Sequence, residues 1–199
     1  MADPLPLLEV PRLSPTDRLV GLPPLLLRLS RDGARPLLAT AVRVATRAGR
    51  LLVRFDGRDR GVTATLTRRD DPLWKEDVFE VFLSPDDRPA VYYEFEVNPL
   101  GTLFDARVES PEGRRETMRV DASWNCPGLS ARVRRRPERW SALFSIPLEP
   151  LSPGPAAVWR ANFHRIDRGN PDEYSAWSPT GADPPDFHRP ERFGYLRMP

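Results

Sequence analysis

From Arg50 onward the apolar positions recur every second residue, the period of a strand whose two faces meet different surroundings. "RLLVRFDGRD" sets Leu51, Val53 and Phe55 on one face, and Asp56-Gly57 is expected to turn the chain. "DVFEVFL" sets Phe79, Val81 and Leu83 against Val78, Glu80 and Phe82. "VYYEFEVNPLG" alternates most cleanly, with Tyr93, Phe95 and Val97 against Glu94, Glu96 and Asn98, and closes at Pro99-Gly101. "TLFDARV" is its expected hairpin partner. "LSARVRRR" and "RWSALFSIPL" repeat the pattern, the second with Trp140, Ala142, Phe144 and Ile146 in phase. In "VWRANFHRI", Trp159, Ala161 and Phe163 face inward, and Arg160, Asn162 and His164 lie opposite.

Helical windows are short, and 24 prolines spread along 199 residues favour turns between short strands. Roughly eight to ten strands at hairpin spacing, without helical crossovers, predict an all-β fold. The expected architecture is an antiparallel β-sandwich of the immunoglobulin or jelly-roll kind, with residues 1–199 as a single domain. Residues 1–36 are rich in Pro and Leu without a clear period and read as an extended lead-in whose leucines lie across the core.

The net charge of +2 is small, and acidic residues interleave with the arginines of "RVRRRPERW", which disfavours nucleic acid as a partner. Lys75 is the only lysine and glutamine is absent, a bias shared by GC-rich genomes and hot habitats. With Cys126 as the only cysteine, an intrachain disulfide and a thiolate metal cluster are excluded. The longest apolar run, around "GLPPLLLRL", is too short to span a bilayer as a helix. "MADPLPLLEVPRL" lacks a basic start and a continuous apolar stretch, so a cytoplasmic protein is the default, and an extracellular one if a leader has been trimmed.

A polar strand face is ordinarily the solvated side of a sheet. Here three strands carry a mixed set, Glu80, Glu94, Glu96, Asn98, Arg160 and Asn162, and asparagine is disfavoured in mid-strand. Two tryptophans also stand outside the strand phase. Trp74 follows a charged, Pro-containing turn, and Trp177 lies in "YSAWSPTGADPPDFHRP", a run of loop-forming residues. Sugars offer C–H patches to indole faces and hydroxyls to carboxylates and amides, so the set suits a saccharide site. Each indole could instead plug an end of the sandwich.

Together, "DPLWKEDVFEVFLSP", "YYEFEVNPLGTLFDARV", "WRANFHRID" and "EYSAWSPTG…FHRPERFGYLRM" resemble carbohydrate-binding module family 9 across residues 70–198. "LLVRFDGRDRGVTATLTRRDD" extends the likeness upstream. The resemblance implies a DOMON-like β-sandwich, a sugar gripped between two tryptophans, and bound structural calcium. Trp74 and Trp177 match the two clamp positions, and Glu80 matches the sugar-bonding glutamate six residues after the first. Glu96 stands where the family has a binding arginine, and Tyr174 where an asparagine is expected. The expected carbohydrate site is therefore Trp74, Trp177, Glu80, Glu96, Asn98 and Asn162.

The paired glutamates would also suit a glycosidase, but a small sandwich offers no deep cleft, and non-catalytic binding is the reading taken. Two histidines and one cysteine make zinc improbable, and nothing marks Met118 with His164 or His188 as a haem pair. Calcium, a possible structural ion, has no diagnostic spacing around Asp56, Asp59 and Asp70-Asp71. "FHRPERFG" reads as structural, with His188, Arg189 and Arg192 bonding loop carbonyls, or as an arginine on the rim of the sugar site. The alternative to sugar binding is a structural or protein-interaction sandwich with a vestigial site. Composition sets no oligomeric state.

Overall fold

The computed structural model describes residues 4–151 and 157–199. Its first seven strands are β1 (Leu7–Glu9), β2 (Leu25–Leu26), β3 (Arg28–Leu29), β4 (Thr40–Arg47), β5 (Arg50–Arg58), β6 (Val78–Ser84) and β7 (Val91–Val97). The remainder are β8 (Leu103–Glu109), β9 (Arg119–Asp121), β10 (Ser130–Arg136), β11 (Arg139–Pro147), β12 (Val158–Asp167), β13 (Glu173–Ala176) and β14 (Gly194–Arg197). They form two facing sheets. The larger runs β1-β14-β12-β6-β7-β8-β9, with β13 also on β12 and β3 on β13, and the smaller runs β10-β11-β5-β4-β2.

All pairings are antiparallel except β1 beside β14 and an isolated bridge between Arg12 and Thr46. Residues 4–36 thereby touch both sheets, through β1, β2 and β3. Val10, Leu13 and Leu27 are buried, but Leu7 and Leu26 remain exposed because their short strands lie at sheet edges.

The inward faces are the ones the alternation identifies. Phe79 stacks on Phe55 at 4.7 Å and on Trp140 at 3.7 Å, while Phe144 and Phe163 meet Phe55 edge-on. Such ring contacts add to the burial that drives the two sheets together. One expected turn is absent. Asp56-Gly57 continues β5 to Arg58, and the hairpin turn is Ala48-Gly49, both with positive φ, which joins β5 to β4. Gly57 serves close packing instead, since a Cβ there would meet Phe79 at 2.9 Å and Arg165 at 3.0 Å.

The two sheets bury their residues differently, and that difference locates the site. β5 and β11 alternate between buried and partly exposed residues, as a sheet with one solvated face does. β6 is buried throughout and β12 nearly so. A second apolar layer accounts for it, in which Phe82, Tyr92, Phe104 and Ile166 on the outer face of the large sheet pack under Phe187 and Phe193. Those last two come from the chain between β13 and β14, which crosses back over that face.

Candidate functional site

Three glutamates lie together on this covered face. Glu80 on β6 pairs directly across the strands with Glu96 on β7, and Glu94 is paired with Phe82 one step along. One carboxylate oxygen from each of the three lies within 4.8 Å of the others. All three side chains are buried, and among the described residues none forms a salt bridge. Burial, reinforced by the neighbouring carboxylates, pushes Glu80 and Glu96 well above the ordinary carboxylate range. His164, the cross-strand partner of Glu80, is held well below the usual histidine value by burial and then by His188. Its ring stacks on Phe187 at 4.1 Å and meets Phe82 edge-on at 4.9 Å.

Above the glutamates opens a pocket of about 420 Å³, within the range of small-molecule sites. A short 3₁₀ turn, Leu73–Lys75, builds its first aromatic wall by burying Leu73 and turning Trp74 outward. Trp74 is 42% exposed and meets Phe104 edge-on at 5.3 Å. Tyr174 from β13 also lines the pocket, as do Phe187 and His188 from the covering segment. Glu80 and Glu94 form its polar floor.

Arg168 fastens two of these walls. Its guanidinium donates to the backbone oxygen of Trp74 at 2.6 Å and to the hydroxyl of Tyr174. It is aimed by Asp172 at 2.7 Å. The backbone N–H of Arg168 donates to Asp77 at 2.6 Å, as does that of Thr63, so one carboxylate ties two loops beside the pocket. Burial raises the Asp77 carboxyl to about 6. His188 is fixed through Nδ1 to the Tyr92 hydroxyl at 2.7 Å, whereas Arg192 donates to the carbonyl of Pro179.

Of the expected binding residues, Trp74 and Glu80 line the pocket and the others do not. Trp177 forms no clamp with Trp74. It is 8% exposed, its backbone N–H donates to the carbonyl of Phe163, and its ring packs 5.4 Å from that of Phe163 in the main core. Glu96 lies fully buried beside Glu80 and outside the pocket lining. Asn98 accepts the N–H groups of Leu100 and Thr102 and donates to Leu66, so its amide is spent shaping the β7–β8 turn. Asn162 likewise exchanges hydrogen bonds with the backbone of Ser178 and holds the segment after β13 to β12.

Sequence reasoning left Phe104, Tyr174 and Arg168 out of the site. Tyr174 was visible only as a departure from the family pattern. Arg168 falls at a strand end, where an arginine carries no signal of its own. The acidic residues considered for calcium are already engaged. Asp56 pairs with Arg43 and Arg54, Asp59 with Arg165, and Asp71 with Arg68. A second concavity of about 820 Å³, on the outer face of the small sheet, is rich in arginines, among them Arg43, Arg54, Arg134 and Arg139. It lacks the open aromatic wall that Trp74 gives the first.

Residues 34–198 match the carbohydrate-binding family 9 profile, and the chain belongs to that family. A Bacteroides uniformis protein assigned to carbohydrate binding shares the fold with a TM-score of 0.77 at 19% identity, covering 97% of this chain and 99% of that one. A family 9 module from Caldicellulosiruptor kristjanssonii, solved with cellotriose, has a TM-score of 0.68 at 14% identity over 97% and 93% of the two chains. The module from the same organism solved with glucose reaches 0.64 at 14%, over 98% and 96%. An "Extracellular protein" of Arthroderma benhamiae is 25% identical over 170 residues, 77% of this chain and 76% of its own length.

Proposed function

We propose that the chain binds a saccharide, without chemistry, in the pocket walled by Trp74 and Tyr174 and floored by Glu80 and Glu94. The observation that carries this reading is the exposed indole of Trp74 standing over buried carboxylates. An indole left in water is a standing cost that a sugar's C–H face relieves, and covering about 100 Å² of apolar surface is worth roughly 2–3 kcal/mol gross. Carboxylate oxygens accept from sugar hydroxyls more strongly than neutral groups do. Ordering and association costs take back much of this gain, so micromolar to millimolar affinity is expected.

The arrangement of the acids supports binding without catalysis. Glycosidases set two carboxyl groups on opposite sides of the scissile bond, about 5–9.5 Å apart. Here the three glutamates stand side by side on one sheet face. Glucose and cellotriose, the ligands of the Caldicellulosiruptor modules, are the first saccharides to test.

The burial of Trp177 favours a second reading, a structural sandwich whose sugar site is vestigial. Calorimetric titration with glucose, cellotriose and a glycan panel separates the two. A saccharide that binds the parent chain and fails to bind Trp74→Ala supports the first. A panel with no ligand supports the second.

A further inference from the structure

We propose that Glu80, Glu94 and Glu96 form a binding site for one divalent, oxygen-seeking cation beneath the pocket. Among the described residues these are the side chains that gather three acidic groups within mutual ligand distance. They do so on adjacent strands held in fixed register, so the spacing belongs to the sheet and does not depend on a loop. Three carboxylates offer up to six oxygens, a donor set suited to Ca²⁺, Mg²⁺ or Mn²⁺ and poorly suited to thiophilic metals.

The surroundings supply a second and independent argument. Oε1 of Glu80 and both oxygens of Glu96 receive no N–H or hydroxyl donor among the described residues, and Glu96 lies within hydrogen-bond reach of another carboxyl, that of Glu94. A buried carboxylate in that condition is strongly disfavoured unless a charge or a proton joins it. Among the described residues no arginine or lysine forms a salt bridge with the cluster, as one does with Asp59, Asp105 and Asp167, and Arg168, whose charge reaches Glu80, is engaged by Trp74, Asp172 and Tyr174. His164 is a poor source of positive charge here, because burial holds it well below the usual histidine value. Both of its ring nitrogens are also without a partner, although it lies directly across from Glu80 between two walls of the same pocket. Protons would cancel charge but leave most of these lone pairs unused, whereas a cation engages them. The site shares Glu80 and Glu94 with the floor of the proposed saccharide pocket, and Glu96, outside the pocket lining, is the member that tells the two readings apart.

The test uses the full chain, stripped with a chelator and titrated with Mn²⁺ alone. Free Mn²⁺ is followed by electron paramagnetic resonance, and heat by calorimetry. One Mn²⁺ per chain is expected, with affinity lowered at least about tenfold in Glu96→Gln and in Glu80→Gln, which keep side-chain shape and remove a charged ligand. Circular dichroism establishes that each variant is folded, and Asp71→Asn, a loop acid outside the cluster, should bind like the parent. The proposal is overturned if no stoichiometric Mn²⁺ binds. It is equally overturned if Asp71→Asn loses binding while both glutamine variants keep it. Mn²⁺ binding through Glu96 with no saccharide bound would support the cation site and remove the saccharide reading. Saccharide binding with no Mn²⁺ bound would do the reverse.

Discussion

Gly194 lies against the six-membered ring of Trp177 so closely that a Cβ on the glycine would fall 2.5 Å from Cζ3 and 2.7 Å from Cη2 of the indole. That contact answers why a loop otherwise made of Ser, Pro, Thr, Gly and Asp holds a tryptophan. The indole closes the sandwich where the covering segment leaves β13, and β14 passes over it with no side chain of its own. Trp177→Ala should therefore cost about 3–5 kcal/mol of stability, the range for deleting a large buried aromatic. Gly194→Ala should also destabilise, because the ring and the Pro6 carbonyl, 2.9 Å from the same Cβ, have little room to retreat. Chemical denaturation of both variants checks this. A Trp177→Ala protein as stable as its parent would contradict the packing.

Trp74 should behave in the opposite way. It is 42% exposed, meets Phe104 edge-on and is held through its backbone oxygen, so Trp74→Ala should change stability by no more than about 1 kcal/mol. If the pocket takes a sugar, the same change should remove about 2 kcal/mol or more of binding, and the fluorescence response to the ligand should disappear with it. The buried Trp140 and Trp159 then contribute a constant background. Unchanged saccharide titrations in the variant would move the site elsewhere.

The fold was legible because two-residue periodicity is a property of each strand alone. Phe79, Val81 and Leu83 pack inward whatever covers the other side. β4 escaped notice because Thr40–Arg47 alternates Val42 and Val44 with alanine and arginine, a weaker contrast than neighbouring strands present. The site was half legible for a related reason. Glu80 and Glu96 were visible as polar positions out of keeping with a core strand, but their mutual approach depends on the β6–β7 register. The role of Trp177 depended on which edge of β12 the final strand joins, and no local pattern carries that information. Asn98 and Asn162 bond backbone in this fold, and an amide that binds a ligand leaves the same mark in a sequence as one that binds backbone.

Arg165 is an inward-facing arginine on β12, buried with Asp59 and Asp167 as its ion-pair partners. Its Nη1 also donates to the Thr40 hydroxyl at 3.1 Å. Arg165→Leu would strand two buried carboxylates, so a loss of about 3–5 kcal/mol is expected. Replacing all three charged groups with apolar residues should recover much of that loss, since the desolvation cost disappears with the pair. Denaturation of the single and triple variants measures both. Equal losses in the two would show that Arg165 acts through packing and not through charge.

The glutamate cluster makes the metal-free chain sensitive to pH in a direction that follows from linkage. Glu80 and Glu96 are raised above their ordinary value of 4.5, first by burial and then by neighbouring carboxylates. The folded state therefore holds more protons than the unfolded one between that value and the folded value, and stability falls as pH rises through this window. His164 and His188 are lowered from 6.5, chiefly by burial, so their effect is the reverse, a loss of stability as pH drops below that value. Asp77, raised to about 6, acts in the same sense as the glutamates but has finished titrating near neutrality. Above the ordinary histidine value of 6.5 the histidine contribution is spent, and the melting temperature of the chelator-treated chain should fall as pH rises toward the folded value of the glutamates. Glu96→Gln removes one member of the cluster and relieves the other two, so its curve should be flatter and lie higher at the alkaline end. Saturating Mn²⁺ should remove or invert the slope, because a cation competes with protons for the same oxygens. Parallel melting curves for parent and Glu96→Gln across this range would mean that the buried glutamates take up no proton on folding.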